Sequence, residues 1–330
     1  MFDIVILATA AAAAAPKDLK TYADWIVGCD NGRACQAVAL MPQDDIEGTT
    51  MVIERGAGAR AVPKLSINIV SGAVSQAVAV DGKRLRARID NVTGPSVIAG
   101  ADALTAIETM RRGKAMTVLD ASGKVIGRPS LAGMSAALLY MDEQQRRLDT
   151  VTALARKGMK PASTVPPPPA LPVIVSPKAP KLLPRKLAAA DIERTLKPLE
   201  CEASETSMET SYARLDAKTS LALLPAPCGN GAYNYYSYAL LIDNAGKVRP
   251  ATFEISGGMG EGSDNSLVNA DWDEKSREIT TYAKGRGLGD CGSIQAYAWD
   301  GRSFRLKRMG VMGECRGSMD YIPVWRTVVR

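Results

Sequence analysis

The chain contains no histidine among its 330 residues, which excludes a large part of enzyme chemistry. Ser–His and Cys–His pairs need an imidazole, and no Ser-x-x-Lys sequence supplies the serine–lysine alternative. Aromatic residues make up only 5% of the chain and neither half is strongly basic, so nucleic-acid binding is not expected. After the start of the chain no apolar run approaches the roughly 18 to 20 residues that span a bilayer. We therefore expect no cofactor and no transmembrane segment.

The start of the chain has the composition of an export signal. Residues 1–16 read MFDIVILATAAAAAAP, an apolar stretch followed by small residues of the kind that leader peptidases require. Asp3 stands where a basic residue is usual, so either the leader is weak or the true start lies upstream. The alternative is a short buried strand or helix. The first interpretation predicts a periplasmic or secreted protein.

Six cysteines agree with an oxidising compartment, because their number is even and no C-x-x-C pair occurs. Without histidine and with such uneven spacing, a metal site is not expected. Fifteen pairings are possible in principle. A proline-rich boundary favours bridges within each half of the chain, and the predicted disulfides are Cys29–Cys35, Cys201–Cys228 and Cys291–Cys315.

The composition divides the chain into two domains, residues 17–156 and 191–330, joined by a proline-rich linker at 157–190. Prolines oppose helices and central strands, so the linker is expected to be an extended, semi-rigid spacer. It carries 6 basic residues and no acidic ones, which matches the net charge of the whole chain, +6. Such a segment is able to contact anionic envelope polymers or lipid headgroups at the surface. Alternatively, its charges only keep an extended linker soluble.

The fold class predicted from hydrophobic alternation and turn residues is α+β, mainly antiparallel β, with two disulfide-stapled β-sandwich or open-barrel domains. Strands in the first domain are expected at residues 25–29, 35–40, 50–54, 65–70, 77–80, 85–89 and 116–119. In the second they are expected at residues 235–242, 248–255, 267–272, 278–283, 294–299 and 303–309. Helices are expected at residues 101–112, 131–156 and 191–196, the second of them capped by Ser130.

A glycine-rich loop, residues 285–292, offers a candidate anion site. Successive backbone amides, together with Lys284, Arg286 and Asp290, form a possible nest for an anionic ligand. The competing interpretation is a tight turn held by the disulfide of Cys291. Residues 257–262, GGMGEG, are a second glycine-rich loop and a candidate lid.

Two further patterns are candidate sites on strands. Asp271 and Asp273 lie on one strand face, about 6.5 to 7 Å apart at Cα, which is compatible with glycoside hydrolysis. Asp273 also stands where a turn begins, a position that Asp fills for structural reasons. Tyr235 and its neighbouring tyrosines are able to stack on sugars, although tyrosines in strands more often pack in cross-strand pairs.

Several of these motifs resemble one family. DWIVGCDNGRAC, LLPAPCGNGAYNYYSYALL, KGRGLGDCG, GECRG and PVWRTVV are similar to the exported bacterial proteins of domain of unknown function 1176. The resemblance implies an envelope protein of a Gram-negative bacterium with all six cysteines at matching positions, and it brings no catalytic residues. The Trp-x-x-x-Cys portion of the first domain also distantly resembles invasion-associated locus B proteins.

Three functions remain open at this point. The first is a non-enzymatic binding or interaction module of the cell envelope, with an envelope partner or an anionic polymer as ligand. The second is an inhibitor or host-interaction protein that presents rigid loops. The third is a hydrolase that uses the two carboxylates of Asp271 and Asp273.

Overall fold

We describe the fold from a computed structural model, which covers residues 18–42, 48–91, 95–178, 180–197, 209–227, 229–254 and 266–330. Cys201, Cys228, the proposed leader at residues 1–16 and the candidate lid at residues 257–262 lie outside the described residues. The predictions made for them stay predictions.

The first half of the chain forms two antiparallel sheets and two helices. Its elements are β1 (Lys20–Tyr22), β2 (Trp25–Cys29), β3 (Cys35–Ala39), β4 (Thr49–Arg55), β5 (Pro63–Ile69), β6 (Ala77–Val80), β7 (Lys83–Arg84), β8 (Ser96–Ala99), α1 (Gly100–Arg112), β9 (Met116–Leu119), β10 (Val125–Gly127) and α2 (Met134–Gln144). The larger sheet has the order β1-β2-β3-β4-β5-β8, and the smaller one has the order β10-β9-β6-β7.

The second half adds a short helix and three sheets. After a 3-10 turn at Ala162–Thr164 come β11 (Val173–Ile174), α3 (Ala189–Leu196), β12 (Ser211–Arg214), β13 (Thr219–Pro225), β14 (Tyr236–Asp243), β15 (Val248–Pro250), β16 (Ser266–Val268), β17 (Asp271–Asp273), β18 (Glu278–Lys284), β19 (Gly292–Trp299), β20 (Phe304–Met312), β21 (Ile322–Arg326) and β22 (Val328–Val329). One sheet is β12-β13-β14-β15, with β16 also on β14, and another is β17-β18-β19-β20-β21. Strands β11 and β22 form a small parallel pair.

The central strands β2 and β3 are buried along their whole length, since both faces of their sheet are covered. On one face Trp25, with its neighbours, packs against Leu138 and Met141 of α2. On the other face Ile26, Val38, Leu40 and Val52 share a cluster with Cys291, Met312 and Ile322 of the second half. The two halves of the chain therefore meet through an apolar contact.

The second half has a core of its own, to which both of its larger sheets contribute. Leu223 and Leu241 from one sheet and Tyr297, Leu306 and Trp325 from the other belong to a single buried cluster. The outer face of the β12–β15 sheet is covered by Leu187 and by the apolar side of α3. The mainly antiparallel α+β class is confirmed, whereas the sandwich or barrel description stays a prediction.

Most predicted strands are present, and α1 begins one residue before the predicted start and ends where predicted. The predicted helix over residues 131–156 is wrong beyond Gln144, because the chain turns back there with Arg146 and Asp149 in left-handed conformations. Ser130 is not its cap either. Helix α2 begins after Gly133, while the Ser130 hydroxyl donates a hydrogen bond to Asp24.

Three strand predictions are also corrected. Residues 85–89 leave the sheet after β7, although their apolar side chains still pack on the core, and the amide of Arg88 bonds to the carboxylate of Asp102. Strand β15 ends at Pro250 rather than at residue 255, since Phe253 forms an isolated bridge to Phe304. The strand predicted at residues 267–272 divides into β16 and β17, which belong to different sheets.

The proline-rich segment predicted as a linker, residues 157–190, lies against the fold at several of its described residues. Val165 and Ile174 are buried, and β11 pairs with β22 at the end of the chain. The predicted disulfides Cys29–Cys35 and Cys291–Cys315 are both present. Within the described part of the chain, no helix has the length and apolar character needed to cross a membrane.

Candidate functional site

A cluster of polar contacts surrounds Asn269, at the point where the chain passes from one large sheet of the second half to the other. Asn269 lies between β16 and β17 with a positive φ of 45°. Its side-chain amide donates to the carbonyls of Tyr233 and Tyr282, and its Oδ1 accepts from the amide of Tyr235. One asparagine thus ties the tyrosine-rich segment before β14 to strand β18.

The glycine-rich loop at residues 285–292 is fixed from both sides. The guanidinium of Arg286 binds the buried carboxylate of Asp290 through two hydrogen bonds, and the same carboxylate accepts the amide of Gly317 at 2.7 Å. The hydroxyls of Tyr282 and Tyr321 both donate to the carbonyl of Gly289. Because the Arg286 side chain binds Asp290, these contacts match the tight-turn interpretation of the loop.

The electrostatics of this loop follow from the same contacts. The hydrogen bonds from Arg286 hold the pKa of Asp290 below its usual range, so this carboxylate is ionised at neutral pH. Burial raises the pKa of the Tyr321 hydroxyl, which therefore acts as a neutral donor. The Lys284 ammonium lies over the ring of Tyr282, 5.2 Å from its centroid, which is a cation–π distance.

A groove of about 470 Å³ lies next to this cluster, on the β17–β21 sheet. Its lining residues come from four strands and their adjoining loops: Asn269, Thr280, Thr281, Tyr282, Ile294, Gln295, Arg308, Met309, Gly310, Tyr321, Pro323, Trp325 and Arg326. We call it the sheet groove.

Strand register explains why this part of the sheet is hollow and apolar. Tyr282, Ile294, Gly310 and Pro323 are successive cross-strand partners on β18, β19, β20 and β21. A Cβ at Gly310 would lie 3.0 Å from Cγ1 of Ile294, so the absence of a side chain lets Ile294 pack closely over the sheet at this point. Ile294 is 39% exposed, which is unusual for an isoleucine in the middle of a strand.

Cations occupy the next row of the same sheet. Arg308 pairs with Arg326 in the strand register, and both line the sheet groove. Each is tethered by a buried carboxylate, Arg308 by Glu278 at 2.5 Å and Arg326 by Asp30 at 2.5 Å. Their side chains remain 52% and 44% exposed. A guanidinium that is held in place and partly exposed is well suited to bind a carboxylate or phosphate.

Comparison with known proteins places the chain in one family over nearly its whole length. The family described as "Protein of unknown function (DUF1176)" matches residues 19–330. The chain belongs to this family. It is also similar to "Uncharacterized protein YpfG" of Escherichia coli (strain K12), with 31% identity over 96% of this chain and 93% of the relative. No solved structure matches it.

In this DUF1176 chain, the site residues predicted from sequence lie beside the sheet groove rather than in it. Lys284, Arg286 and Asp290 belong to the adjoining loop, and Tyr235 is bound through its amide to Asn269, which lines the groove. Asp271 is the cross-strand partner of the groove residue Thr280. The 285–292 loop, the tyrosine-rich segment and strand β17 thus all adjoin groove residues that were not predicted as site residues from the sequence.

The carboxylate pair shows mostly turn features. Asp271 and Asp273 are both exposed on β17. The amide of Ser276 donates to Asp273 Oδ1 at 2.8 Å, and this bond lowers the pKa of Asp273. The general acid of a glycoside hydrolase needs a raised pKa. The lowered pKa of Asp273 is instead typical of a carboxylate that accepts hydrogen bonds in a turn. The hydrolase hypothesis stays a prediction.

Sequence reasoning singled out none of the residues that line the groove, among them Tyr282, Ile294, Arg308, Gly310, Tyr321, Pro323 and Arg326. They lie in strands or at strand ends that were partly predicted, but their relation to each other depends on cross-strand register. The sequence signal that was available is weak: an arginine three residues after Pro323 and a glycine within a strand.

Proposed function

We propose that this protein is a non-enzymatic binding module of the bacterial envelope and that its sheet groove holds a segment of an anionic sugar polymer. The observation that carries the proposal is the pairing of an apolar row, Tyr282, Ile294 and Pro323, with the tethered guanidiniums of Arg308 and Arg326. Sugar rings present apolar faces to such rows, and acidic groups on the polymer match the guanidiniums.

The size of the groove agrees with this ligand class. Ligand sites usually enclose about 300 to 1,000 Å³ and combine an apolar lining with a small number of polar groups. The sheet groove, at about 470 Å³, lies within that range. Lys284 beside Tyr282 adds a third cation near the same strand.

The cysteines support the proposed compartment. Disulfides such as Cys29–Cys35 and Cys291–Cys315 are typical of proteins outside the cytosol. Export through a leader at residues 1–16, a periplasmic or secreted location, the division into domains at the linker and the likeness to invasion-associated locus B proteins belong to this proposal.

The test is calorimetric titration of the purified protein with polygalacturonate, using dextran as the uncharged sugar control. We expect Arg308→Gln to weaken binding at least about tenfold, the lower end of the value of a hydrogen bond to a charged group. This variant leaves Glu278 with its second partner, Lys307. Ile294→Glu places a negative charge in the groove and should abolish binding.

The matched control for Ile294→Glu is Val74→Glu, since Val74 is 49% exposed in the first half of the chain and lies outside the groove. It should bind like the wild type. Equal binding of dextran, or unchanged binding by Ile294→Glu, would refute the groove assignment. Equal binding of polyglutamate would show that charge alone is recognised and would exclude a sugar polymer as the specific ligand.

A second function, inhibition of an enzyme, is favoured by one observation on the 285–292 loop. Leu288 is 55% exposed on this loop, which the Arg286–Asp290 pair and the Cys291–Cys315 disulfide hold in place. A rigid loop that presents an apolar side chain is how many inhibitors enter a substrate cleft. Assays against a panel of lysozymes and proteases test this, with Leu288→Asp expected to lose inhibition and Arg308→Gln to retain it. Absence of inhibition across the panel would remove this candidate.

A further inference from the structure

The most basic stretch of the proline-rich segment lies between two anchors on the second half. We call its described residues, 175–178 and 180–186, the basic loop. On one side β11 is paired with β22, Ile174 is buried and the amide of Ser176 bonds to the carbonyl of Arg330. On the other side Leu187 is buried in the cluster that covers the β12–β15 sheet.

The anchors hold the loop on the surface and its prolines limit its freedom. The amide of Arg185 bonds to Ser220 Oγ at 2.9 Å, and the Lys186 ammonium lies 5.9 Å from the centroid of the Tyr212 ring. Proline occurs at positions 177, 180 and 184. A loop restrained in this way loses little conformational entropy when it binds a surface.

The side chains of this loop combine exposed leucines with positive charge. Leu182 is 55% and Leu183 is 91% exposed. Lys178, Lys181 and Arg185 flank them and are also exposed, and residues 175–186 contain no acidic residue. A cavity next to Val175 is lined by two carboxylates, those of Glu254 and Asp300. Both carboxylates form ion pairs with the guanidinium of Arg305.

We infer that the basic loop is a contact site for an anionic lipid surface, into which Leu182 and Leu183 insert while the cations bind headgroups. Two adjacent leucines, one more than half exposed and the other almost fully exposed, are a poor way to keep a linker soluble, since apolar side chains in water carry a free-energy cost. Lipid headgroups match the cations, and the acyl boundary matches the leucines. A soluble polyanion would use the charges and leave the leucines in water.

The test is flotation of the full chain with vesicles of phosphatidylcholine, with and without phosphatidylglycerol. We expect binding to the anionic vesicles and little binding to the zwitterionic ones. Leu182→Ser/Leu183→Ser should abolish flotation, and Lys178→Gln/Lys181→Gln should reduce the partition coefficient about 25-fold, or about fivefold per cation near an anionic leaflet.

Two matched controls separate this effect from general surface changes. Met159→Ser removes an apolar side chain that is 93% exposed elsewhere, and Lys218→Gln/Lys247→Gln removes two exposed lysines of the second half. Both should float like the wild type, and thermal unfolding should be equal for all variants. If the leucine variant floats like the wild type, or if zwitterionic vesicles bind equally well, the inference is wrong. Neither result bears on the sheet groove, which contains no residue of the basic loop.

Discussion

The guanidinium of Arg55 on β4 contacts the carboxylate of Asp142 on α2, with 2.6 Å between Nη2 and Oδ1 and side-chain exposures of 1% and 0%. The same carboxylate accepts the backbone amides of Leu154 and Ala155. One buried ion pair therefore joins the large sheet to α2 and also holds the chain that returns after the helix.

Asp142→Asn should lower the free energy of unfolding by about 3 to 5 kcal/mol, since removing one partner leaves a buried charge without compensation. Urea denaturation measures this. The matched control is Glu54→Gln, because Glu54 forms an ion pair with Lys64 that is 42% and 48% exposed. Exposed pairs contribute about 0 to 1 kcal/mol, so a similar loss in both variants would contradict the structural role of Asp142.

Met312→Ala should destabilise both halves of the chain together. Met312 is fully buried in the cluster that joins β2 and β3 to the second half, and such truncations cost about 2 to 5 kcal/mol. We expect one denaturant transition, seen equally by near-ultraviolet circular dichroism and by fluorescence. Met159→Ala, at a side chain that is 93% exposed, is the control. Two separate transitions in the wild type would show that the halves unfold independently.

The pH dependence of stability should carry a contribution from Asp320, which lies between the two halves. Asn68 donates to its Oδ2 at 2.7 Å, Ser318 also bonds to it, and Glu54 and Lys64 act on it through their charges. Burial raises the pKa of Asp320, so the folded state holds this proton more tightly than the unfolded state does.

The stabilising contribution of Asp320 is therefore complete below its ordinary pKa and declines as the pH rises through the raised value. Compared with Asp320→Asn, the wild type should lose free energy of unfolding as the pH rises above about 4. Denaturation curves across that range test this. If the free energies of unfolding of the two proteins change in parallel with pH, the pKa of Asp320 is not raised in the folded state.

Asp290 should behave in the opposite sense, because its bond to Arg286 lowers its pKa. The contribution of Asp290 is present above its ordinary pKa and disappears as the pH falls through the lowered value. Asp290→Asn should cost about 1.5 to 3 kcal/mol at pH 7, the value of a hydrogen bond to a charged group, and less in acid. A cost that is independent of pH would contradict an ionised Asp290.

The two observed disulfides should differ in their effect on stability. Cys291–Cys315 closes a sequence separation of 24 residues and Cys29–Cys35 one of 6. By chain entropy, replacing both cysteines with alanine should cost about 3.5 kcal/mol for the first bond and about 2.2 kcal/mol for the second. Guanidinium denaturation of the two double variants gives the comparison. A larger cost for the short bridge would show that chain entropy does not control this difference.

Much of the local structure could be predicted from the sequence, because it depends on neighbours in the chain. The hairpin of β2 and β3 follows from the turn residues Asp30 to Gly32 between two apolar runs, and α1 ends before Gly113 as predicted. The helix predicted over residues 131–156 failed for a tertiary reason. Gln145 and Arg147 are buried polar residues whose side chains donate to the carbonyls of Arg55 and Gly58, at and just after the end of β4, so the chain turns towards them.

The candidate site was less predictable. Asn269 divides one predicted strand between two sheets, and nothing in residues 267–272 alone signals that its side chain will bind Tyr233 and Tyr282. The sheet groove depends on Ile294, Gly310 and Pro323 lying in one row, which is a property of register between three strands. A shift by one residue on any of them would turn its side chain to the other face.

The sequence by itself determined the chemistry that is available. It supplies no imidazole, an even number of cysteines that suits an oxidising compartment, and a basic, proline-rich segment, all of which are properties of composition and spacing. Only the tertiary structure decided that β2 and β3 are covered on both faces, that Arg308 and Arg326 lie side by side, and that Leu182 and Leu183 remain in solvent. Composition fixes which interactions are possible, but long-range packing and strand register fix which side chains meet.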